Sequence, residues 1–145
     1  MRALRFARWG LAATALFAVA GCGADDPSTA PPTTVTATSG TPFTLAIGDT
    51  AQLDTGRLAV TLTNVSGDSR CPEDVTCAWA GDITVTVTAR IDSAETSYSL
   101  HPNPQASSAT TNGYRIQLQS VRPGRHTNRQ IPSADYRVDL LVSPA

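Results

Sequence analysis

The chain has 145 residues, eleven arginines, no lysine and twelve acidic residues, for a formal net charge of −1 at pH 7. That length holds one domain with a tail and no more. Beyond Gly21, eight arginines face twelve acids, a net of −4, which argues against general nucleic-acid binding.

The N-terminus carries Arg2, Arg5 and Arg8, then an apolar run from Leu11 to Val19 broken only by Thr14. This is the three-part layout of a secretory signal, and the run is shorter than the roughly 20 apolar residues a spanning helix needs. It closes on Val19-Ala20-Gly21-Cys22. That segment resembles the lipobox of bacterial lipoproteins. The resemblance implies that residues 1–21 are removed and that Cys22 becomes the N-terminus, carrying a diacylglyceryl thioether and an acylated amine. A single acyl chain binds a membrane only marginally, whereas three on one residue hold it there. The expected location is the cell membrane, lipid-anchored, on the extracytoplasmic face.

Residues 23–40 are dominated by Pro, Thr and Ser, with Val35 the one sizeable apolar side chain. Such a stretch buries too little surface to offset its ordering entropy. Residues 22–40 are therefore expected to be the lipidated cysteine and a disordered tether.

From Thr41 the apolar period becomes two. Phe43, Leu45 and Ile47 form the first run, followed by Leu58, Val60 and Leu62, and then by Ile83, Val85 and Val87. Tyr98 and Leu100 follow, then Tyr114, Ile116 and Leu118, and last Tyr136, Val138, Leu140 and Val142. Turn signals separate them, including Gly48-Asp49, Gly67-Asp68, Asn112-Gly113 and Pro123-Gly124. Half-polar runs of this kind describe antiparallel strands. The expected domain spans 41–145, an all-β antiparallel sandwich or barrel of six to eight strands. Thr84, Thr86 and Thr88 make a hydroxyl stripe that reads as an ordinary solvent-facing strand.

The densest motif runs from Asp68 to Asp82 and contains Cys71-Pro72 and Cys77-Ala78-Trp79-Ala80-Gly81. With Cys22 set aside, Cys71 and Cys77 are the remaining cysteines. Their five-residue gap differs from the two-residue spacing of thioredoxin-like or zinc-knuckle pairs. A disulfide closing a short loop in an oxidising setting fits best, and chain-entropy arithmetic for so small a ring gives about 2.4 kcal/mol. Trp79 is expected to pack over that disulfide, the other reading being an exposed platform for a sugar or peptide. Arg-Cys-Pro followed by Cys-x-Trp-Ala-Gly is similar to a motif of small bacterial lipoproteins of unknown function. The likeness implies a disulfide-pinned β domain and carries no activity with it.

Asp68, Glu73, Asp74 and Asp82 read as a solvated acidic loop without calcium-loop spacing. Arg122, Arg125, His126 and Arg129 lie in a stretch with no acid from 120 to 134. They are the candidate anion-binding residues, for phosphate or carboxylate. There is no Gly-x-Ser-x-Gly elbow, His-Glu-x-x-His or glycine-rich phosphate loop. The expectation is no enzyme, no cofactor and no metal. The function expected is a non-catalytic binding module of the envelope, its partners the membrane through Cys22 and an envelope polymer or exported protein. The alternative is a redox or metal-handling protein using Cys71 and Cys77.

Overall fold

Alternation of apolar and polar side chains builds nine strands in the computed structural model, which describes residues 30–145. The expected leader, Cys22 and the tether up to residue 29 lie outside the described residues. The strands are β1 (Thr34–Thr36), β2 (Phe43–Leu45), β3 (Thr50–Leu53), β4 (Leu58–Ser66) and β5 (Thr84–Ile91). Then come β6 (Ala94–Leu100), β7 (Ser108–Thr111), β8 (Tyr114–Arg122) and β9 (Arg137–Pro144). One sheet has the order β1-β3-β4-β5-β6 and the other β2-β9-β8-β7. Every neighbouring pair is antiparallel except β1 with β3.

All six expected runs become strands of this all-β fold. The additional strands β1, β3 and β7 have three or four residues each. Such short segments show too little alternation to stand out from their surroundings. β1 also moves the start of the folded unit. Thr34–Thr36 fall in the stretch assigned to the tether, yet they pair in register with Thr50–Gln52. Val35, the stretch's one large apolar residue, packs against the core. Short composition windows miss a strand whose partner lies elsewhere in the chain.

The core sits between the sheets and every buried residue in it is hydrophobic. Leu53, Leu58, Val60, Leu62, Val85 and Val87 line one side, and Leu45, Ile116, Val138, Leu140 and Val142 the other. Two β-bulges interrupt the alternation, at Leu62/Asn64 in β4 and at Leu118/Ser120 in β8. Each inserts one residue, so the next inward side chain comes three positions on, at Val65 and Val121. Within the threonine stripe Thr88 bonds across both neighbouring strands, its Oγ1 lying 2.9 Å from both Thr63 Oγ1 and Ser97 Oγ.

The strand directions give the sandwich two distinct ends. At one, tight connections join β3 to β4, β5 to β6 and β7 to β8. The last of these is the Asn112-Gly113 turn, with φ of 43° and 84° between paired Thr111 and Tyr114, the backbone of a two-residue hairpin. At the other end lie the long loops 67–83 and 123–136.

Candidate functional site

The loop between β4 and β5 is a continuation of their hairpin beyond the sheet. Ser69 N–H donates to the Asp82 carbonyl at 2.7 Å, and Cys71 N–H to the Ala80 carbonyl at 2.8 Å. Asp82 N–H returns a bond to Ser69 Oγ at 3.1 Å. The Cys71–Cys77 disulfide closes the tip, with its Cα atoms 5.9 Å apart. Gly81 is required where the two arms touch. Its φ is +72°, and a Cβ there would overlap the Ser69 carbonyl.

Trp79 is 81% exposed and Val75 45%, the exposed large hydrophobic residues among those described. This overturns the expectation that the indole packs over the disulfide. The reason is local. The hydrogen bonds at Cys71 and Ala80 hold the loop as a projecting ribbon, and its tip lies beyond the core edge instead of folding back over it.

The projecting hairpin is braced by a polar cluster. Arg70 Nε donates to Asp68 Oδ1 at 2.8 Å and Nη2 to Oδ2 at 2.7 Å. The same guanidinium donates to the carbonyls of Val121 at 2.7 Å and Pro123 at 3.0 Å. Tyr136 Oη donates to Asp68 Oδ2 at 2.9 Å. One arginine thus joins the first arm of the hairpin to the end of β8. Burial raises the Asp68 carboxyl, but the Arg70 and Tyr136 hydrogen bonds and the Arg70 charge outweigh it and hold it below its ordinary value. The Arg70 guanidinium is pushed up by its bond to Asp68. The Tyr136 phenol is raised by burial and by its bond to the same carboxylate.

The loop from 123 to 136 lies against the hairpin. Glu73 N–H donates to the Arg125 carbonyl at 2.8 Å, and Arg125 Nη1 to the Arg70 carbonyl at 2.6 Å. Asp74 accepts from Thr127, at 3.0 Å from its N–H and 2.6 Å from its hydroxyl. These bonds hold the Asp74 carboxyl below its ordinary value. Asp82 Oδ2 lies 2.8 Å from His101 Nδ1.

This geometry bears on the candidate anion-binding residues. Arg122 is committed to Asp139 on β9, with Nη2 at 2.8 Å from Oδ1. Asp139 is raised by burial, but Arg122, Ser120 and Thr44 together bring it below its ordinary value. Arg125 is spent on a backbone carbonyl, and His126 stands 3.6 Å from Glu73 and 3.9 Å from Asp74. Arg129 lines a shallow cleft with Asp68, Arg125 and Tyr136. The basic stretch and the acidic hairpin answer each other. Arg122, Arg125 and His126 thus each face a partner within the molecule, while the Arg129 side chain lines the cleft without an ion pair among the described residues.

Cys71 and Cys77 are joined, and among the described residues no three His, Cys, Asp or Glu side chains converge on a point that could hold a metal ion. No family model, no curated protein and no solved structure matches the chain.

Proposed function

We propose that this protein is an exported lipoprotein, anchored through Cys22, whose β-sandwich presents the disulfide hairpin as a non-catalytic binding surface. One observation carries the reading. A rigid loop, stapled by a disulfide and braced by Arg70, holds Trp79 81% exposed at its tip. Exposing an indole forgoes burial of a large apolar surface, and aromatic anchors of this kind dominate the energetics of binding surfaces. Arg70 with Asp68, and Asp74 with Thr127, fix the hairpin that presents the indole. The lipobox segment Val19-Ala20-Gly21-Cys22 supports the anchor. The redox and metal-handling alternative gains no specific observation in its favour.

Oxidation of Trp79 tests the contact. The indole is expected to react severalfold more slowly in intact envelopes than in the domain released by cleavage between Cys22 and Thr34. Equal rates would show that nothing covers Trp79 in place and would remove the binding surface from the account.

A further inference from the structure

Strand direction says which end of the sandwich the anchor approaches. β1 begins at Thr34, whose partner Thr50 pairs in turn with Thr61, and it ends at Thr36, beside Gln52 and Ala59. β4 runs from Leu58 through Thr61 to Ser66, where the disulfide hairpin begins. The chain therefore enters β1 from the hairpin end. A second observation agrees. Ala30, Pro31 and Thr33 line one cleft with Ser133, Ala134 and Arg137, at the close of the loop packed on the hairpin. Thr33 is fixed there, its N–H donating to Asp49 Oδ1 at 2.8 Å.

Cys22 precedes Thr34 by twelve residues, a span of about 40 Å at full extension. A lipid on Cys22 thus keeps the point where the chain enters β1, at the hairpin end, within about 40 Å of the membrane. The groups exposed toward the lipid would be Val75 and Trp79. Around them, residues 67–83 and 122–136 hold five carboxylates (Asp68, Glu73, Asp74, Asp82, Asp135) and four guanidiniums (Arg70, Arg122, Arg125, Arg129). So balanced a set neither repels an anionic surface strongly nor depends on one. Tryptophan is enriched at membrane–water interfaces, where its apolar ring and polar N–H both find their medium.

We infer that the disulfide hairpin is a second membrane contact, with Trp79 and Val75 seated in the lipid headgroup region. This rests on the anchor reading and goes beyond it by naming the surface's partner as lipid. The contact orients the domain, since the acyl chains already retain it. It turns the tight connections at Asp54–Gly56, Asp92–Ser93 and Asn112–Gly113 away from the membrane. Because the apolar tip carries the contact, added salt changes it little.

The chain's tryptophans are Trp9 and Trp79, so a Trp9→Phe chain makes Trp79 its sole indole. The lipidated protein that the cell makes from this chain is placed in phosphatidylethanolamine and phosphatidylglycerol vesicles. In a parallel set the acyl chains carry bromine just below the headgroup. Vesicle flotation is read alongside fluorescence. The expected result is blue-shifted emission, with a marked loss of intensity in the brominated vesicles that persists in high salt. If the protein floats and bromine leaves the emission unchanged, the anchor stands and the inference is overturned, leaving a polymer or protein as the partner of Trp79. If the protein does not float, the anchor reading falls and takes the inference with it.

Discussion

Arg70 joins more of the site than any other side chain, because its guanidinium reaches Asp68, Val121 and Pro123 at once. Replacing it with Ala leaves the poorly exposed Asp68 carboxylate without its partner, and breaking such a pair costs about 3 kcal/mol. Chemical denaturation of the Arg70→Ala chain checks this. Tyr136→Phe removes one hydrogen bond to the same carboxylate and is expected to cost about 1 kcal/mol. The cluster also sets an acid limb. Asp68 titrates below its ordinary 3.8 when folded. Its contribution is therefore complete above that value and is lost as pH falls through the depressed one. Stability measured down through this range should fall less steeply in Asp68→Asn than in the parent chain. Trp79→Ala, by contrast, should leave stability within about 0.5 kcal/mol, because the indole is not packed against the core.

The hairpin beyond β4 and β5 is the element that makes a site of these residues. A Gly81→Ala chain must hold a non-glycine residue at φ +72° against the Ser69 backbone. The strained backbone alone costs about 1–3 kcal/mol, and thermal unfolding should show it. Gly124 makes the instructive contrast, since an added Cβ there meets the flexible Glu73 carboxylate instead of backbone. Replacing both cysteines by Ser is expected to cost about 2.4 kcal/mol by chain entropy and to open the loop to proteases. Much of this element was readable in the sequence. Cys71 and Cys77 announced their pairing by number and spacing, and the flanking runs announced their strands by period. The exposure of Trp79 was not readable, because it depends on how far the β4–β5 ladder continues past the sheet. The pairing of the acidic and basic loops was equally hidden, since Asp74 and Thr127 are 53 residues apart and meet only through topology.

At the scale of the whole molecule, an end-to-end polarity emerges. β1, which composition assigned to the tether, is the strand that fixes the direction from which the chain enters the sandwich. The same end carries the long loops, the disulfide and the exposed indole, while the opposite end holds the tight turns. An anchor at Cys22 would bring the hairpin end within reach of the membrane, where the Trp79 contact would turn that polarity into an orientation, so the anchor is the first thing to establish. Mass spectrometry of the N-terminal peptide, from protein recovered with the membrane fraction, decides this. The expected peptide begins at Cys22 and carries diacylglycerol on its sulfur. A chain that retains residues 1–21, or that carries an unmodified Cys22 thiol, would contradict it.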